Sequence, residues 1–200
     1  LQDGIRQPVS RPTETSCAPR FIHLMNVSDW IIEYLENQGV EHIFTVSGGG
    51  SIWLCDALQR AKRMKYVCTH HEQAAGYAGE AYARVRNSLG VTLVTSGPGG
   101  TNAVSSCAAS WLDGVPHLFI SGQAFLKHTI ADHPGLRQLG VQEINIVDIV
   151  RPITKLAVMV RNPGEAKAML EEAVKQALTP RMGPCWLDVP GCVQNAVVSS

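Results

Sequence analysis

Apolar positions along this chain alternate between short continuous runs and helical spacing. Behind a polar cap at Asn26 or Ser28, Trp30, Ile31, Tyr34 and Leu35 share one helical face, and Gly39 closes that helix. His42-Ile43-Phe44-Thr45-Val46 follows as a strand. Ile52, Leu54, Cys55 and Leu58 predict the next helix, and Lys65-Tyr66-Val67-Cys68-Thr69 the next strand. Ala74, Ala75, Ala78, Ala81, Tyr82 and Val85 recur at helical spacing, so Glu72 falls in the first turn of a third helix. Val91 to Thr95 is a buried strand that completes a right-handed βαβ unit.

The second half repeats the alternation. A helix from about Ala103 to Leu112 leads into the strand Pro116 to Ser121, and the stretch from Ala124 to Glu143 shows little periodicity. A loop of that length within a compact domain is functional or disordered. After the short apolar segment Ile144 to Val150, a strand over Ile153 to Val160 precedes a helix opened by Asn162-Pro163. Its buried face is Ala166, Met169, Leu170, Ala173, Val174 and Ala177. Pro184 to Pro190 is the last strand, and Gln194 to Ser200 reads as a linker. About six strands alternating with helices predict an α/β fold of three layers, α/β/α, around a mostly parallel six-stranded sheet.

Two loops and one carboxylate carry the candidate chemistry. Ser47-Gly48-Gly49-Gly50-Ser51 follows a strand directly, and consecutive glycines let backbone approach a ligand or simply turn tightly. Their spacing does not match a dinucleotide fingerprint. Ser96-Gly97-Pro98-Gly99-Gly100-Thr101-Asn102 lies between a buried strand and an apolar helix, on the carboxyl edge where open α/β sheets bind ligands. No lysine follows it, which disfavours a nucleoside-triphosphate loop. Glu72 is stabilised by its helix dipole whatever its role, but the small residues after it let this helix approach another surface closely. His70, His71, His128 and His133 raise metal binding; adjacent histidines on one turn point apart and no His-Glu-x-x-His occurs, so no metal ligands are assigned.

The chain has 200 residues, of which 45% are hydrophobic, and its 17 acidic and 17 basic residues cancel. That describes one soluble domain with a single sizeable core and no electrostatic footprint for nucleic acid. The six cysteines form no Cys-x-x-Cys pair and most sit in apolar stretches, which places the protein in a reducing, cytoplasmic compartment. No apolar run is long enough for a membrane span. Residues 1–24, with Pro8, Pro12 and Pro19, read as a disordered leader or remnant, residues 25–192 as the folded domain, and residues 193–200 as the start of an interdomain linker. Leu1 in place of methionine points to a piece of something longer.

In order along the chain, Val46-Ser47-Gly48-Gly49, His71-Glu72-Gln73, Tyr82-Ala83-Arg84, Thr95-Ser96-Gly97-Pro98-Gly99, Thr101-Asn102, Asp113-Gly114-Val115-Pro116, Ser121-Gly122-Gln123, Val141-Gln142-Glu143 and Gly183-Pro184 with Leu187-Asp188-Val189-Pro190 form a series. The series resembles the N-terminal, pyrimidine-binding domain of thiamine-diphosphate-dependent enzymes, most closely the large catalytic subunits of acetolactate synthases. The resemblance implies that Glu72 is the catalytic residue, hydrogen-bonded to N1′ of the cofactor's aminopyrimidine so that the 4′-amino group can remove the thiazolium C2 proton. It implies cofactor binding by Gly48, Gly49, Pro98, Gly99 and Asn102, and places Gln142 on the substrate side. The expected reaction is carboligation of 2-oxo acids such as pyruvate.

The family's diphosphate and Mg²⁺ sites lie on a separate domain with a Gly-Asp-Gly element that this sequence lacks, and a flavin (FAD), in members that carry one, contacts domains also missing here. The resemblance therefore implies a domain inactive alone, completed by the diphosphate-binding domain of a neighbouring subunit in a homodimer or homotetramer. The chain departs from the common pattern at Ser47, His70, Val141 and Gly191, where family members often carry proline, arginine, an aromatic residue and lysine, and in a longer loop over Ala124 to Arg137. Two other readings stay open: one subunit of a two-chain 2-oxo acid decarboxylase, and a non-catalytic α/β module that binds a metabolite at Ser96 to Asn102.

Overall fold

A computed structural model describes residues 24–133 and 135–199. The leader assigned to residues 1–24 therefore lies, except for Leu24, outside the described residues. The elements are β1 (Leu24–Asn26), α1 (Val27–Asn37), β2 (His42–Thr45), α2 (Ile52–Arg60), β3 (Lys65–Cys68), α3 (Glu72–Arg86), β4 (Gly90–Val94), α4 (Pro98–Asn102) and α5 (Val104–Asp113). They continue with β5 (His117–Gln123), α6 (Ile146–Val150), β6 (Leu156–Met159), α7 (Ala166–Leu178), β7 (Pro184–Pro190), α8 (Gly191–Gln194) and β8 (Val197–Ser199).

Six of the strands form one sheet in the order β3-β2-β4-β5-β7-β6, every neighbouring pair parallel. Successive residues of a strand face opposite sides, and the central strands divide their side chains accordingly. Leu118, Ile120, Cys185 and Leu187 join α1, α2 and α7 in one buried cluster. Phe119 and Trp186 enter a second cluster with Ala103, Cys107 and Val150 on the other face, their rings stacked 4.9 Å apart. This two-sided burial explains why β4, β5 and β7 read as near-continuous apolar runs.

Helix α3 packs differently from its apolar periodicity. The face turned inward is Ala75, Gly76, Gly79, Glu80 and Ala83, whereas Val85 is 85% exposed. A Cβ on Gly79 would stand 2.7 Å from both Thr92 Oγ1 and His117 Nε2. The helix thus lies with its backbone against the sheet, and glycine, which carries no apolar signal, marks the buried side.

That close approach shelters a polar chain. Fully buried His117 pairs through Nδ1 with Ser110 Oγ at 3.0 Å and through Nε2 with Thr92 Oγ1 at 2.9 Å. Ser110 Oγ donates onward to Glu80 Oε2 at 3.4 Å, and Arg84 Nη2 donates to Glu80 Oε1 at 2.7 Å. Burial depresses the His117 pKa to about 3, so the ring is neutral in the native protein. The unfolded chain takes up that proton first, so stability present above about pH 6.5 is lost as pH falls toward 3. We expect the stability advantage of the wild type over His117→Asn to shrink across that window in thermal unfolding. A gap independent of pH would contradict the assignment.

The stretch read as a linker is not free of the fold. β8 pairs antiparallel with β1, Val27 N donates to Ala196 O at 2.9 Å, and Ser28 Oγ donates to Gln194 O at 3.0 Å. Three-residue strands such as these carry too few positions for a period to be visible in sequence.

Candidate functional site

From β2 the chain steps outward to β3 and then returns to place β4 on the other side of β2. The loops after β2 and β4 therefore diverge at the carboxyl edge of the sheet and open a crevice there, the usual ligand position in such sheets. Gly48 and Gly49 lie on the first loop, Pro98 and Gly99 at the start of α4 after the second.

Thr95 ties the two loops together. Its Oγ1 accepts the Gly50 N–H at 3.0 Å, and a Cβ on Gly48 or on Gly99 would stand 2.6 Å from its side chain. Glu72 is the first residue of α3, which His71 caps by accepting the Gln73 N–H at its Nδ1, 3.2 Å away. Asn102, from the end of α4, donates through Nδ2 to Glu72 Oε2 at 2.9 Å. Among the described residues, Glu72 Oε1 receives no hydrogen bond, and it lies beside Gly99, 3.5 Å from where a Cβ on that glycine would stand. The structure thus brings Glu72, Asn102 and Gly99 together, with Pro98 at the exposed rim of the same loop and Gly48 joined to it through Thr95.

Gln142 arrives from the long loop. Both it, at φ +56°, and Gly97, at φ +58°, adopt left-handed backbone, and the Gln142 carbonyl fills the space a Gly97 side chain would need. The loop is anchored in spite of its weak periodicity: the Glu143 carboxylate accepts the Ile130 and Leu139 N–H groups at 2.8 and 3.1 Å. Gln123 Nε2 donates to Ile144 O at 2.9 Å and to Asp188 Oδ2 at 3.1 Å, while Ser121 Oγ donates to Asp188 Oδ1 at 2.6 Å. Burial raises Asp188 to about 7, partly offset by these two donors.

Sequence reasoning passed over Gln194, which is fully buried. Its Nε2 donates to Gly50 O at 2.6 Å and to Val189 O at 2.7 Å, fastening the glycine loop to the end of β7. Gln194→Ala leaves two carbonyls without this donor, and we expect a loss of about 1–3 kcal/mol in thermal unfolding. An unchanged midpoint would show that the loop is held without it. Also unrecognised was a cleft of about 330 Å³ beside the glycine loop, lined by Gly49, Gly50, Trp53, Ser96, Phe125 and Gln142 among others. Among the described residues no group of three or more His, Cys, Asp or Glu side chains is placed to hold a metal ion. No helix among them is long and apolar enough to cross a membrane.

Residues 25–149 match the family model described as thiamine pyrophosphate enzyme, N-terminal TPP binding domain. Over 171 residues, 84% of this chain, the sequence is 38% identical to an acetolactate synthase of Arthrospira platensis, covering 28% of that protein. It is 40% identical over 161 residues to the mitochondrial acetolactate synthase catalytic subunit of Aspergillus candidus, with 80% of this chain and 22% of that one covered. It is 32% identical over 170 residues to the acetolactate synthase isozyme 1 large subunit of Escherichia coli, with 85% and 29% covered. The chain thus spans under a third of the length of these relatives.

Proposed function

The chain belongs to the thiamine pyrophosphate enzymes, as their N-terminal TPP-binding domain, and from that premise we propose that it is the pyrimidine-binding part of an acetolactate-synthase-like carboligase acting on 2-oxo acids such as pyruvate. The observation that carries this reading is the state of Glu72: one carboxylate oxygen is held by Asn102 and the other, without a hydrogen bond among the described residues, lies beside Gly99.

The residues present fit an aminopyrimidine. A ring nitrogen that must exchange a proton needs a carboxylate acceptor of fixed orientation, and Asn102 supplies the orientation. A flat ring needs a wall without side chains: Gly49 leaves open space where a Cβ would stand, and Gly48 and Gly99 pack their bare Cα atoms against Thr95. When bound, thiamine diphosphate provides the nucleophilic carbon that takes up a 2-oxo acid. Glu72 then holds and returns the proton at the pyrimidine nitrogen, Pro98 begins the short helix that carries Gly99 and Asn102, and Gln142 faces the substrate side. In this reading Mg²⁺ and the diphosphate are held by the second domain of a neighbouring subunit in a homodimer or homotetramer, with FAD, where present, also bound outside this domain. A reducing, cytoplasmic setting accords with Cys55, Cys68, Cys107, Cys185 and Cys192 all being free thiols.

The test is an assay of the full-length protein with pyruvate, thiamine diphosphate and Mg²⁺, following acetolactate and carbon dioxide together. Both products are expected. Carbon dioxide without acetolactate would reassign the protein to simple decarboxylation or another acceptor, and unchanged product formation on omitting thiamine diphosphate would sink the reading.

A further inference from the structure

The cleft beside the glycine loop has two unlike ends. Ser96, Gln142 and the backbone of Gly49 and Gly50 form one, at the loops after β2 and β4 that Thr95 ties together and Gln142 packs against through Gly97. Trp53 and Phe125 form the other, their ring centroids 5.8 Å apart, seated over Gly191. The seat requires glycine: a Cβ at residue 191 would stand 2.6 Å from Phe125 Cε1 and 3.0 Å from Trp53 Cζ3. Phe125 and Val141, both lining this cleft, are 38% and 87% exposed, so apolar surface faces the opening. Among the described lining residues, His128 is the single side chain that can carry a charge, and its ring stacks on Phe125 at 6.4 Å.

A cavity of about 330 Å³ with an apolar wall and a few polar groups at one end orients a small amphipathic molecule. Its polar head belongs at Ser96 and Gln142, beside the reacting centre, and its apolar part at the aromatic pair. A methyl group reaches little of that wall, whereas a ring buries more apolar area and gains ring–ring contacts. We infer that this cleft takes the apolar side group of a 2-oxo acid larger than pyruvate, an aromatic ring by preference, with Trp53 and Phe125 as the side chains that set the choice. The inference rests on the reading above for the 2-oxo acid and adds the side group.

The test is calorimetric binding to the full-length protein carrying Glu72→Gln, so that ligands bind without turnover, loaded with thiamine diphosphate and Mg²⁺. Phenylpyruvate is expected to bind about tenfold or more tightly than pyruvate. Phe125→Ala, and separately Trp53→Ala, should lower that ratio by about tenfold. Gly191→Ala, which displaces the Phe125 ring while keeping both aromatic residues, should lower it too. Equal or tighter binding of pyruvate, or a ratio that none of the three substitutions moves, overturns the inference and leaves the reaction class standing. Failure of phenylpyruvate to bind a protein that holds the cofactor overturns it as well. Failure to bind thiamine diphosphate overturns the proposed function itself.

Discussion

Glu72→Gln in the full-length protein is expected to lower thiamine-dependent turnover of a 2-oxo acid by about 10²–10⁴-fold, the range attached to a positioned acid–base group. The substitution keeps length and shape, and an amide oxygen can still accept from Asn102 Nδ2, now 2.9 Å from the carboxylate. What it removes is the ability to exchange a proton at the oxygen facing Gly99. The loss should therefore fall on kcat, with cofactor affinity changed by far less. Asn102→Ala provides the companion measurement: it frees the carboxylate to rotate without removing it, so its effect should be smaller and should include weaker cofactor binding. A Glu72→Gln protein within tenfold of wild-type kcat would place the acid–base step on another group.

How much of this arrangement the sequence discloses depends on how each part is built. β5 and β7 are buried on both faces, so continuous apolar runs locate them, and β7 begins and ends at the residues the pattern indicates, Pro184 and Pro190. Helix α7 buries Ala166, Leu170, Ala173, Val174 and Ala177 of the predicted face, with Met169 half-buried at its edge, because it packs through ordinary side chains. Helix α3 buries Gly76, Gly79 and Glu80 alongside Ala75 and Ala83, so its inward face is only partly traced by apolar side chains, and Val85, on the periodic set, is exposed. The loops that converge at the crevice were visible as glycine and polar clusters at strand ends. The devices that hold them were not: Gln194 is a single polar residue in a nondescript stretch, and the left-handed Gln142 depends on a contact with Gly97 from a distant loop. The aromatic pair over Gly191 joins residues from three separate segments, a contact that local pattern cannot express.

The second large effect is expected at Gly122→Ala. Gly122 lies near the end of β5 opposite Val189, and an added Cβ would collide with the carbonyl of Gly50 and stand 2.6 Å from the Ser51 nitrogen. Both obstacles are backbone, so no side-chain rotamer relieves them, and the glycine loop must lift from the sheet. Lifting breaks the Gln194–Gly50 and Gly50–Thr95 hydrogen bonds, which are 2.6 and 3.0 Å long. Overpacking and a buried unpaired group each cost about 1–3 kcal/mol, so a total of about 3 kcal/mol or more is expected. Gly49→Ala separates this from function, because nothing lies within 4 Å of its added Cβ. It should change stability by less than about 0.5 kcal/mol while weakening thiamine diphosphate binding, since the new methyl group would occupy open space at a glycine of the proposed ring-binding surface. Thermal midpoints and cofactor titrations of the two variants therefore diverge in opposite senses: Gly122→Ala melts early, and Gly49→Ala melts normally but holds the cofactor poorly. Equal midpoints would mean that the loop is not seated on β5, and wild-type cofactor affinity in Gly49→Ala would remove that glycine from the proposed ring-binding surface.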